Sequence, residues 1–149
     1  DHLPFKSLLI TGPFMPKNKR RKVFKRARRL GVRTYHFYRQ MEKAFAAADL
    51  VVCMGGYNTL CEILSQGTLS LVIPREAPRK EQLIRAQAFE HQKLVDYIPL
   101  SELNADMLSK RIFALLDNPQ PYHQAISQFR LTGIETMQQR LQDFRYKKS

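Results

Sequence analysis

Three short segments of this chain hold residues whose types and spacing could do chemistry. The first is Thr11-Gly12-Pro13. The second is Met54-Gly55-Gly56-Tyr57-Asn58-Thr59 with Glu62 following, and the third runs from Pro74-Arg75 to Glu81-Gln82. In the second segment Gly55 and Gly56 let the backbone turn tightly and approach a ligand closely. Asn58 and Thr59 then add side-chain donors beside the free N–H groups of a helix start, a combination that favours a phosphate. Glu62 lies one turn further along, and a carboxylate there suits a pair of hydroxyls, such as a ribose diol, better than a phosphate. The same residues read equally as a capping box, Thr59-x-x-Glu62, which would satisfy the helix donors with no ligand at all. A P-loop lysine and a G-x-G-x-x-G pattern are both missing, which disfavours nucleotide hydrolysis and ordinary dinucleotide binding.

In the third segment Pro74 and Pro78 stiffen a loop that presents Arg75, Arg79 and Lys80. Arginine can fork onto phosphate oxygens, so Arg75 or Arg79 could neutralise a diphosphate. The competing reading is a solvated loop with ordinary charges. Arg85, one turn further on, reads as a helix-surface charge. His36, His91 and His123 have no carboxylate or serine partner at motif spacing. Cys53 and Cys61 form neither a disulfide framework nor a metal-ligand set, so no metal or cofactor is expected.

Elements that could position these residues alternate along the chain. Apolar runs at 7–11, 32–37, 50–54, 69–73 and 94–98 read as strands. Helical patterns over 17–30, 40–48, 58–66 and 81–93 separate them, with Gly31 and Gly67 as stops. Leu108, Ile112, Leu115 and Leu116 mark a further helix closed by Asn118-Pro119, and Ile134, Met137, Leu141 and Phe144 form a last helical stripe. Five strands alternating with helices predict an α/β fold, a Rossmann-like doubly wound parallel sheet. In such sheets ligands bind beyond the carboxyl ends of the strands, where all three segments fall.

Composition narrows the partners. The 149 residues include 25 Lys+Arg against 13 Asp+Glu, a formal net charge of +12. Such a chain attracts phosphates, nucleic acid or an anionic membrane surface. Nine of the cations crowd positions 17–29 with no acid among them. That helix reads as a solvated polar face, as a contact for an anionic bilayer, as a nucleic-acid surface, or as a means of concentrating an anionic substrate. No apolar run approaches the roughly 18 residues of a membrane span. The start, Asp1-His2-Leu3-Pro4, carries neither an initiator methionine nor a signal-peptide pattern. The expectation is one domain over 1–149, cut from a longer cytoplasmic protein.

From Ala48 to Val52 the chain reads Ala-Asp-Leu-Val-Val; Gly55-Gly56, Asn58-Thr59, Glu62, Gly67, Pro74 and Glu81-Gln82 follow in order. This arrangement resembles the donor-sugar signature of GT-B glycosyltransferases, and more specifically the C-terminal half of glycosyltransferase family 28. The resemblance runs from about Ser7 to Leu116. It implies that Asn58 and Thr59 hold the diphosphate of a nucleotide-sugar donor, with the Gly12 loop approaching it and the Gly55-Gly56 turn beneath. Glu62 would accept from the ribose, Glu81 and Gln82 would contact the sugar, and Arg75 or Arg79 would replace a metal at the departing diphosphate. Met54, Thr68 and Leu69 depart from the related plant pattern, which has His, an apolar residue and Pro there. The implied function is transfer of a glycosyl group, from a UDP-sugar, to an acceptor bound by an N-terminal domain outside this chain. That acceptor could be lipid-linked, and the catalytic base would come from the missing half. The alternatives are a nucleic-acid-binding module, disfavoured by the lack of interleaved aromatics, and a nucleotide-sugar epimerase of the same architecture.

Overall fold

The computed structural model describes residues 5–77 and 80–129. They fall into two compact units that divide between Met41 and Glu42. The first is a single parallel strand–helix–strand unit. β1 (Leu8–Ile10) leads into α1 (Lys17–Arg29) and returns as β2 (Arg33–Tyr35). β1 and β2 pair in parallel with Leu9 opposite Thr34. Along α1, Ala27 is buried and Val23 and Phe24 are half-buried, while all the lysines are exposed. Gly31 ends α1 as expected. It sits at φ +75°, its N–H bonds the Arg28 carbonyl, and the Val32 N–H reaches back to Ala27. These two bonds satisfy carbonyls the helix would otherwise leave orphaned, and a positive φ is cheap only for glycine.

In the second unit α2 (Met41–Ala46) precedes β3 (Leu50–Cys53), α3 (Tyr57–Ser65), β4 (Leu69–Val72), α4 (Glu81–His91) and β5 (Asp96–Tyr97). A 3-10 turn at Leu100–Glu102, α5 (Ala105–Asp117) and α6 (Gln120–Gln128) complete it. The strands form a parallel sheet in the order β3-β4-β5, with Cys53 opposite Val72 and Val72 opposite Tyr97. Central β4 is buried along its whole length, as a parallel strand covered on both faces must be. Val72 packs with Leu60 and Leu64 of α3 and Ala86 of α4, whereas its neighbour Leu71 packs with Ile98 and Leu115. Adjacent residues thus enter clusters built by different helices, the arrangement of a doubly wound sheet.

Thr68 replaces an apolar residue of the related pattern for a visible reason. Its buried hydroxyl donates to the Phe45 carbonyl at 2.8 Å, tying the end of α2 to the start of β4. β5 is shorter than the 94–98 run, but Leu94, Val95 and Ile98 are all buried beside it. α6 is not anticipated by the sequence reading, in which Asn118-Pro119 only closes a helix. Pro119 is also the N-cap of the next one, and Pro121 stands in its first turn, a position that suits a fixed φ and a missing N–H. The stripe at Ile134, Met137, Leu141 and Phe144 lies outside the described residues.

Candidate functional site

The site belongs to the second unit and is built around the turn that leaves β3. Gly55 has φ +77° and is buried. A Cβ on it would lie 2.7 Å from Cγ1 of Val72, so backbone conformation and space both demand glycine. The Gly55 N–H also bonds Cys53, whose thiol is pushed above its ordinary value first by burial, with that bond pulling the other way. Gly56 then takes an extended conformation (φ −57°, ψ 141°) and is the N-cap of α3. Its carbonyl accepts the first helical bond, from the Leu60 N–H at 2.9 Å.

This placement corrects the capping-box reading. A capping Thr59 would have to stand at the N-cap, yet it occupies the third helical position, and α3 has no side-chain cap. The N–H groups of the first turn therefore keep their donors, and no acid neutralises that turn. Asn58 and Glu62 are exposed and Thr59 is half-buried. Among the described residues none of these three side chains takes a hydrogen-bond partner. A positive helix end with idle polar side chains can receive an anion, and a carboxylate one turn later can receive hydroxyls.

One further segment meets this turn. Ile73 donates to the Cys53 carbonyl at 2.8 Å, so the loop after β4 leaves the sheet beside the glycine turn. Pro74 within it is fully buried. The Arg75 N–H donates to Oε1 of Gln82 at 3.0 Å, which fastens the loop to the first turn of α4 and leaves the Gln82 amide nitrogen to donate elsewhere. Glu76 fixes the other side of the loop by accepting from the Leu100 N–H at 3.1 Å. Arg75 and Glu81 are both exposed. Arg79 lies outside the described residues, and Gly12 follows β1 in the first unit at φ +73°, with open space where a Cβ would stand.

Arg85 is not the helix-surface charge that the sequence suggests. It is half-buried, and its Nη1 donates to the Gly55 carbonyl at 3.0 Å. Its guanidinium lies over the Tyr57 ring at 5.5 Å from the centroid, within cation–π range. Tyr57 in turn hydrogen-bonds Cys61, which is the first cause of its phenol lying above the ordinary value of 10; Arg85 acts in the opposite sense. The signal that could have found Arg85 is its spacing of three from Gln82, which puts both on one face of α4.

Other features lie elsewhere. A cavity of about 590 Å³ is lined by Leu64, Gly67, Ile126 and Phe129, at the far end of α3 from the glycine turn. Among the described residues no three His, Cys, Asp or Glu side chains gather as a metal site, and no helix is long and apolar enough to cross a membrane. Arg20, early in α1, hydrogen-bonds the His36 ring at 3.0 Å within the first unit.

Residues 2–141 match the family described as Glycosyltransferase family 28 C-terminal domain. A UDP-N-acetylglucosamine--N-acetylmuramyl-(pentapeptide) pyrophosphoryl-undecaprenol N-acetylglucosamine transferase of Streptococcus agalactiae is 42% identical over 83 residues, which are 54% of this chain and 23% of that protein. Its namesake from Thermoanaerobacter sp. is 34% identical over 90 residues, 60% of this chain and 25% of that protein. The chain thus spans about a quarter of the length of these curated relatives. Among solved structures, Acinetobacter baumannii MurG superposes with a TM-score of 0.73 at 14% identity, over 93% of this chain and 52% of that one. The glycosyltransferase VinC in complex with DTDP gives 0.61 at 16% identity, over 83% of this chain and 36% of that one. At such identities the likeness shows the fold, the parallel α/β architecture of GT-B glycosyltransferases.

Proposed function

This chain belongs to glycosyltransferase family 28 through its C-terminal domain, and on that premise we propose that it binds the nucleotide-sugar donor of a glycosyl transfer. The observation that carries the reading is the start of α3. An uncapped helix end follows a glycine turn that tolerates no side chain at Gly55, and Glu62 stands unpartnered one turn beyond. In this reading the first-turn N–H groups, Asn58 and Thr59 hold the diphosphate, and Glu62 accepts from the ribose hydroxyls. Arg75 or Arg79 neutralises the departing nucleoside diphosphate in place of a metal, an electrostatic role at the point where charge develops. Glu81 and the free amide nitrogen of Gln82 contact the sugar.

UDP is the expected nucleotide, since the relatives' names specify a UDP-sugar. The acceptor and the catalytic base are assigned to an N-terminal half, so the 149-residue chain should bind donor and transfer little sugar. A lipid-linked acceptor fits the relatives' names. Nine cations over Lys17–Arg29 would then hold α1 against the anionic cytoplasmic face of a membrane. A nucleic-acid surface has less support, because Phe24 is the one aromatic on α1 and it is half-buried. An epimerase would share the same donor site.

Calorimetric titration with UDP, GDP and TDP at near-physiological salt, with a short single-stranded DNA alongside, tests the reading. Saturable one-site binding of one nucleoside diphosphate is expected, unchanged by EDTA and weakened at least tenfold in Glu62→Ala. Binding to DNA alone, fading as salt rises, would refute it.

A further inference from the structure

We infer that Arg85 is a positioning residue that selects one orientation of the Gly55–Gly56 peptide and so aims the start of α3; the inference rests on the donor-site reading above. Two successive glycines give the turn its closeness, but they also make rotation of the peptide between them cheap, because neither residue has a Cβ to oppose it. A trans peptide points its C=O and N–H in opposite directions. Whatever holds the Gly55 oxygen therefore also fixes where the Gly56 N–H points, and with it the direction in which α3 begins.

Arg85 holds that oxygen, with Nη1 at 3.0 Å. A charge-assisted bond of this kind is among the stronger ones. The other side of the guanidinium is fixed by the Tyr57 ring at 5.5 Å, and Tyr57 is the first residue of α3. One side chain from α4 thus grips the turn on both sides of its N-cap, Gly56. With the Gly55 oxygen pinned toward α4, the Gly56 N–H points away from it. Its cation stands beside a helix terminus that is itself positive, so charge alone does not account for its place there. Lysine could supply the charge, but not a planar fork that bonds a carbonyl while lying on a ring.

The test compares the full 149-residue chain with Arg85→Ala and Arg85→Lys in two measurements. Amide hydrogen exchange of ligand-free protein reads the turn directly, at Leu60, whose N–H makes the first bond of α3, against Leu108 at the corresponding point of α5. Calorimetry with UDP reads the donor site. Both variants are expected to speed exchange at Leu60 at least tenfold with Leu108 unchanged, and to weaken UDP binding at least tenfold. Unchanged exchange at Leu60 in both variants overturns the inference whether or not UDP binds. Wild-type UDP affinity in Arg85→Lys also overturns it, because charge alone would then suffice. Faster exchange in variants of a chain whose wild type binds no nucleoside diphosphate supports the clamp on the peptide and removes the donor reading instead.

Discussion

α3 and α5 belong to the same unit, and they begin in opposite ways. Asn104 sits at the N-cap of α5 in extended conformation, and its side chain accepts from the Met107 N–H at 2.9 Å. α3 starts from a glycine with no side chain to offer, while Asn58, Thr59 and Glu62 stand within its first two turns and cap nothing. Elsewhere in the unit several polar side chains are paired within the chain, as Asn104 is. Thr68 ties down Phe45, Glu76 holds Leu100, and Asp96 meets Arg111. A capped start like that of α5 contributes about 1 kcal/mol; α4 and α6 also begin without a side-chain cap, but α3 does so behind a glycine turn that excludes a side chain. Leaving that contribution unused at α3, with suitable side chains alongside, is what a terminus reserved for a ligand would look like.

The contrast breaks most sharply at Gly55. Gly55→Ala combines a positive φ with a Cβ 2.7 Å from Val72 Cγ1, against a buried strand that cannot give way. A loss of roughly 2–4 kcal/mol is expected, read as a shift in the urea midpoint. Gly56→Ala meets only Thr59 Oγ1 at 3.8 Å. It should cost well under half as much, so similar losses at the two glycines would mean that the turn is not set by its contact with β4. A smaller contrast compares the caps themselves. Asn104→Ala should lower stability by about 1 kcal/mol and leave UDP affinity alone. Thr59→Ala should do the reverse, with stability held within about 0.5 kcal/mol and UDP binding weakened severalfold. Thr59→Ala that destabilises as Asn104→Ala does would make the two helix starts equivalent.

The same contrast shows what was legible in the sequence. Strand and helix positions followed from apolar runs and their stops, and Gly31 and Gly67 end their helices at φ +75° and +71° as glycines should. The start of α3 was not legible, because Thr59 and Glu62 have the spacing of a capping box whatever their frame. Only the extended conformation of Gly56 puts the cap three residues earlier. Arg85 escaped for a related reason, since a cation one turn after Glu81 looks like any solvated helix face until Gly55 is brought beside it. The end of α4 was hidden as well. Lys93 takes φ +59°, donates to the Glu90 carbonyl, and lets Leu94 reach Phe89, the closure that glycine makes after α1 and α3. A lysine gives no sign of that conformation. Lys93→Gly should therefore raise stability by about 0.5–1 kcal/mol in denaturant unfolding, and a loss instead would mean that the lysine side chain anchors the turn.

The smallest effect tests the ion pair, where polar groups are in use rather than idle. Asp96 is 5% exposed and Arg111 meets it at 3.2 Å, yet its carboxyl lies above the ordinary 3.8. Burial is the main cause and Glu90 adds to it, while Arg111 and the Tyr97 N–H pull the other way without cancelling it. A carboxyl raised in this way holds its proton more tightly folded than unfolded. It contributes stability below about pH 3.8, and that contribution is lost as pH rises through the higher folded value. Most acidic groups of a folded protein behave in the opposite sense, so the signature is isolated by difference. The melting temperature of Asp96→Asn minus that of the parent should climb as pH rises from about 4 and then level off, because the amide never ionises. The step should be modest, since Arg111 is half exposed and already offsets part of the cost of burying the charge. A difference that falls with pH would mean that the Arg111 pair outweighs burial, and that this part of the unit gains net stability from its ion pair.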